Sequence, residues 1–109
     1  MSKIIISDEA IESIILNAIL GVEGVADTWK GFEEYIPYLK KDRQHPHGID
    51  FLLVDNELKV NVFVIVEYDY SLKKIGEEIQ NQIKAQIESM TPFTVTDVNV
   101  IFEEIKHES

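Results

Sequence analysis

From Leu58 to Tyr68 every even position is apolar (Leu58, Val60, Val62, Val64, Val66, Tyr68), and the switch from this pattern to a helical one constrains the chain most. A period of two belongs to a strand with one face on a core. Ser71 can then cap a helix whose stripe is Leu72, Ile75, Ile79, Ile83, Ile87 and Met90, with Thr91-Pro92 as its stop. Alternation returns at Val98, Val100 and Phe102. Glu57 to Ile105 therefore reads as strand, helix, strand, a unit that builds a sheet and shows no evident catalytic group.

Upstream, Lys3 to Ile6 reads as a short first strand. Ser7 caps a helix with Asp8 and Glu9 in its first turn, where the macrodipole favours negative charge. Ile11, Ile14, Ile15, Ala18 and Ile19 form its core stripe, while Leu16 and Leu20 stand one turn apart on a second face. Gly21-Val22-Glu23-Gly24-Val25 supplies a turn. Thr28 to His47 is the least regular stretch, limited by Pro37 to short amphipathic turns and dense in aromatics. It is expected either to fold back over Leu16 and Leu20 or to present a partner-binding face. Ile49 to Val54 forms a strand joined to the long one through Asp55-Asn56, a link suited to a tight hairpin.

This order, βαββαβ, predicts an α+β fold: a two-layer α/β sandwich with two helices on one face of a mostly antiparallel sheet. The reading is a single domain over 1–106, with an aromatic and basic insert at 28–47 and a tail at 107–109. On the long strand Phe63 and Ile65 make the second face half apolar, so that face is expected to meet another molecule.

A chain of 109 residues suits one core. It has no cysteine, which excludes disulfides, thiolate metal sites and cysteine nucleophiles. No apolar run reaches spanning length and no signal-peptide pattern follows Ile4-Ile5-Ile6, so a cytoplasmic location without direct membrane insertion is expected. A formal charge of −10 repels phosphate backbones and argues against direct nucleic-acid binding. Lys40, Lys41 and Arg43 form a local exception where an acidic partner could dock.

Four constellations bear on chemistry. His45-Pro46-His47, near Asp42 and Asp50, offers a weak two-imidazole metal candidate, short of the four ligands a structural zinc wants. Gly21-Val22-Glu23-Gly24 has the GxxG spacing of a nucleic-acid clamp, but Glu23 and Asp27 make a turn with special backbone angles the better reading. Lys73 and Lys74, at a helix start, are read as pairing with Glu77 and Glu78 rather than holding an anion. The serines are caps, surface residues or termini with no His and Asp close in sequence, so no enzyme and no cofactor are expected.

A helix closing on Gly-Val-Glu-Gly-Val, an amphipathic insert before Gly48-Ile49, and a valine-rich strand ending in Glu67-Tyr68 occur in this order. They are followed by a helix carrying Ile79-Gln80 and Ile83-Lys84, then by Met90-Thr91 and Val98-Asn99-Val100. Together these resemble the alkaline shock protein (twenty-three) family, the Gls-type envelope stress response proteins of bacteria, over nearly the whole chain. The insert is richer in aromatics than the family pattern, and His45 and His47 are no part of it. The resemblance implies a bacterial, non-enzymatic, self-associating domain. In some members such a domain is recruited to the cytosolic membrane face by a membrane-anchored protein.

The expected function is thus a homo-oligomeric interaction or scaffold domain that docks onto a protein partner. Its expected contacts are Trp29, Phe32, Tyr35, Tyr38, Lys40, Lys41, Arg43, Phe63 and Ile65. The alternative is a small-ligand or metal-binding regulatory domain using the Lys40 to His47 loop.

Overall fold

In a computed structural model, which describes residues 2–29 and 48–107, the elements are α1 (Asp8–Leu20), β1 (Val25–Thr28), β2 (Ile49–Val54), β3 (Glu57–Glu67), α2 (Leu72–Met90) and β4 (Thr94–Lys106). β3 is the spine of the sheet. Its even positions Leu58, Val60, Val62, Val64 and Val66 are all completely buried. Against them pack Ile11, Ile15, Ala18 and Ile19 of α1 and Ile75, Ile79, Ile83 and Ile87 of α2, so both helices cover one face. The α+β class and the two-layer arrangement follow from the period-two and period-3.6 stripes meeting in one core.

Both helix starts are capped as their sequences suggest: Ser7 Oγ accepts from the Ala10 amide at 3.1 Å and Ser71 Oγ from the Lys74 amide at 3.2 Å. The stripe of α2 frays at its ends, where Leu72 is partly exposed and Met90 largely so. β2 and β3 form the expected hairpin. Asp55 and Asn56 have φ of 53° and 66°, the left-handed pair that matches the twist of two antiparallel strands, and Val54 faces Glu57 across it.

The sheet is mixed. β1 and β2 run antiparallel to β3, whereas β4 returns parallel to β3 after the α2 crossover. β1 and β2 share one edge of β3 end to end: the Trp29 amide donates to Phe63 O at 2.7 Å, and Gly48 enters β2 beside it. Gly48 has φ of +72°, and a Cβ there would meet Trp29 O at 2.6 Å and Phe63 O at 2.8 Å. The chain therefore departs after Trp29 and returns at Gly48 to the same point on β3.

Two details of the expected order change. Lys3 to Ile6 is no strand: it pairs with nothing among the described residues, and Ile4 and Ile5 are 94% and 83% exposed. The fourth strand is instead Val25–Thr28, which belongs partly to the expected turn and partly to the expected insert, so the order is αβββαβ. At the other end β4 continues through Lys106, whose carbonyl accepts the Tyr68 amide at 3.0 Å, and the His107 ring lies 4.7 Å from that of Tyr68.

Candidate interaction surface

The face of the sheet opposite the helices is built from the odd positions of β3 and their partners. Parallel register places Lys59 beside Asp97, Asn61 beside Asn99, Phe63 beside Ile101 and Ile65 beside Glu104. One half of this face is polar: Lys59 Nζ donates to Asp97 Oδ2 at 2.9 Å and Asn99 Nδ2 to Asn61 Oδ1 at 2.9 Å. The Asp97 carboxylate raises the Lys59 pKa, by its hydrogen bond first and its charge second. The other half is apolar, with Phe63, Ile65 and Ile101 half-buried. Trp29 flanks it, its ring centroid 6.5 Å from that of Phe63. Among the described residues no helix lies on this side.

Of the expected contact residues, the structure brings together Trp29, Phe63 and Ile65. Phe32, Tyr35, Tyr38, Lys40, Lys41, Arg43 and the metal candidates His45 and His47 lie outside the described residues, as does the segment expected to cover Leu16 and Leu20. Leu16 itself packs half-buried against the core, and Leu20 is 46% exposed. Ile101 was missed. It stands between Val100 and Phe102, so an unbroken apolar run hides which of the three points outward.

A second arrangement, also absent from the sequence reading, lies along the outer edge of β4. Glu88 Oε2 accepts from the Val95 amide at 2.9 Å and from Lys84 Nζ at 2.8 Å, and Lys84 Nζ reaches Val95 O at 3.4 Å. Gln80 Nε2 donates to Val98 O at 3.1 Å. The Lys84 hydrogen bond first, then the Val95 amide, hold the Glu88 carboxyl below the ordinary glutamate range. Gln80, Lys84 and Glu88 recur every four residues along α2, which places them on one helix face, but the same spacing serves a solvated face and does not by itself mark one turned toward a strand edge.

The remaining constellations resolve into architecture. Gly24 has φ of +96° and its carbonyl accepts the Glu67 amide at 2.7 Å, so the GxxG segment is a turn tied to the end of β3. Lys73 and Lys74 do not pair with Glu77 and Glu78 as expected. Glu78 instead accepts from Gln82 Nε2 at 3.1 Å, and the ion pairs among the described residues are Lys59–Asp97 and Lys84–Glu88. No group of three or more His, Asp or Glu among the described residues is placed to hold a metal ion. No described helix is long and apolar enough to cross a membrane.

Comparison with known proteins agrees with the resemblance read from the sequence. The chain is 25% identical over 100 residues to the uncharacterized protein YqhY of Bacillus subtilis, covering 92% of this chain and 74% of that protein. It is 26% identical over 104 residues to the uncharacterized protein Spy1614 of Streptococcus pyogenes serotype M6, covering 93% and 85%. In fold it is similar to MamM-CTD, with a TM-score of 0.62 at 16% identity over 90% of this chain and 99% of that one. A nickel form of a MamM CTD variant matches with a TM-score of 0.60 at 17% identity, covering 88% and 96%. The model of the alkaline shock protein (twenty-three) family, described by its cell envelope-related function, matches residues 1–107, and the chain belongs to that family.

Proposed function

We propose that this protein is a non-enzymatic, self-associating interaction domain whose outer sheet face docks onto further copies or onto a protein partner at the cell envelope. The observation that carries the reading is the division of the sheet. One face is sealed by both helices, while the other sets Ile65 and Ile101 beside Phe63 and Trp29 next to a polar ladder. An apolar centre with a polar rim is the anatomy of a protein interface. Family membership supports an envelope role, and recruitment to the cytosolic membrane face through a partner belongs to the same proposal.

Light scattering on a sizing column, for the wild type and for the double variant Phe63→Ser, Ile65→Ser, tests it. The expected result is an oligomer that persists on dilution in the wild type and shifts toward monomer in the variant, with unchanged far-ultraviolet circular dichroism. Identical mass in both proteins would remove the sheet face as the self-association surface. Metal-bound forms among the structures of similar fold, copper and zinc as well as nickel, motivate one parallel check. A thermal-shift panel of divalent cations should leave the melting temperature unchanged, because a ligand specific to the native state must raise it.

A further inference from the structure

The outer edge of β4 is guarded over only half its length. Val95 points its amide and carbonyl away from β3 into Glu88 and Lys84, and Val98 O is taken by Gln80. The direction of the backbone is anchored at both ends, since the Thr94 amide donates to Asn56 O and Lys106 O accepts from Tyr68, both on the β3 side. Val95 and Val98 both face the free side because an irregularity between Val95 and Asp97 shifts the alternation by one residue. The N–H and C=O groups of Val100 and Phe102 therefore face that side with Val98, up to a second shift between Phe102 and Glu104 that returns Lys106 to β3. Four residues before Gln80 on α2 stands Gly76, which has no side chain to extend over the edge, and the Phe102 ring lies 3.6 Å from where its Cβ would be. The capping stripe therefore stops at Val98 and leaves an unguarded template for another strand.

We propose that this open half-edge pairs with the same segment of a second copy, antiparallel and centred on Ile101, to join two sheets into one. In that register Val100 exchanges both backbone hydrogen bonds with Phe102 of the second copy, and Phe102 does the same with the other Val100. Ile101 meets its own equivalent as a non-hydrogen-bonded pair. The ladder is regular from Val100 to Phe102 and is flanked by Asn99 and by Glu103, the extra residue of the shift before Glu104, so no like charges are opposed, which matters for a chain of net charge −10. The pairing also joins the two outer rows, Phe63 to Ile101 and onward into the second copy, so that one apolar strip crosses the joint. This occupant is favoured over an unrelated peptide because the segment is complementary to itself in one register. The inference rests on the self-association reading but not on the sheet-face contact.

The absence of native cysteine provides the test. In the full chain, Ile101→Cys places two thiols at the centre of the pair, with Cα atoms about 4.5 Å apart. Ile65→Cys is the control, because an edge pair separates those positions by three strand spacings, about 14 Å. The expected result under mild oxidation is a covalent dimer from Ile101→Cys and little from Ile65→Cys. Val100→Pro, which removes an outward N–H and alters a half-buried side chain, should raise the dimer dissociation constant in sedimentation on the order of tenfold or more while a cooperative melting transition is retained. A protein that sediments as a dimer but cross-links more readily as Ile65→Cys than as Ile101→Cys, or equally weakly as either variant, overturns the edge pairing and leaves self-association standing. A wild-type monomer at every concentration overturns both.

Discussion

Glu88 accepts the Val95 amide at 2.9 Å, so a carboxylate on the last turns of α2 takes a backbone donor at the start of β4. The bond spans the α2 to β4 connection and guards the strand edge, coupling the local turn to the sheet's exposure. Because the Lys84 ammonium and this amide lower the Glu88 pKa, the folded state favours the carboxylate form. The sign follows from linkage: the contribution is present above the carboxyl's unfolded pKa and is lost as pH falls through the lowered folded value. Thermal melts of the wild type and Glu88→Ala across a pH series should show the wild type higher at neutral pH. The gap should close in acid, below the ordinary glutamate range. A gap that stays constant to well below that range would mean that Glu88 contributes packing rather than charge.

The α2 stripe makes a graded prediction. Ile79 and Ile83 are completely buried between the helix layer and β3, whereas Met90, on the same periodic series, is 66% exposed. Truncation to Ala should cost about 2–5 kcal/mol at Ile79 or Ile83, from lost transfer energy plus the cavity left behind. Met90→Ala should change stability by about 0.5 kcal/mol or less. Urea unfolding midpoints distinguish the two classes, and equal losses at Ile79 and Met90 would contradict the burial described.

What was legible in the residues, and what was not, divides along physical lines. β3 and α2 were readable because Leu58 to Val66 and Ile75 to Ile87 repeat with the period of their own element and bury one side each. Ile4-Ile5-Ile6 looked like a strand, yet β-propensity expresses fit to a neighbouring pleated surface, and among the described residues no strand lies alongside. Val25-Ala26-Asp27-Thr28 failed the opposite way: four residues between glycines and an aromatic stretch carry too little alternation to announce a strand, and only the β3 edge reveals it. Phe63 and Ile65 stood out as apolar residues at positions that should be polar. Gln80, Lys84 and Glu88 did not, because a strand-capping polar stripe is written in the same residues as a solvated one.

The Asp55-Asn56 turn gives a local test of the hairpin that sets the β2–β3 register. Both residues sit at positive φ, and the Asn56 carbonyl accepts the Thr94 amide at 2.8 Å, so the turn also holds the first residue of β4. Asn56→Gly should be neutral or slightly stabilising, because glycine enters this region without steric cost. Asn56→Val forces a β-branched side chain into it and should destabilise by roughly 1–2 kcal/mol. Equal unfolding midpoints for the two variants would mean that the turn relaxes to another geometry.

Gly24 is a position where backbone conformation and close approach coincide. Its φ of +96° disfavours any L side chain, and an added Cβ would stand 2.8 Å from Ile75 Cδ1 and 2.9 Å from Tyr70 Cδ1. Ile75 is buried in the core and has little freedom to yield, while the Gly24 carbonyl is already committed to the Glu67 amide at the end of β3. Strain and overpacking therefore add, and Gly24→Ala should destabilise by about 2–4 kcal/mol. Gly21→Ala is the comparison. Gly21 has φ of −83°, and an added Cβ comes no closer than 3.4 Å, so that change should cost far less or stabilise slightly by restricting the unfolded chain. If the two substitutions shift the unfolding midpoint equally, the turn between α1 and β1 does not hold Gly24 against Ile75 as described.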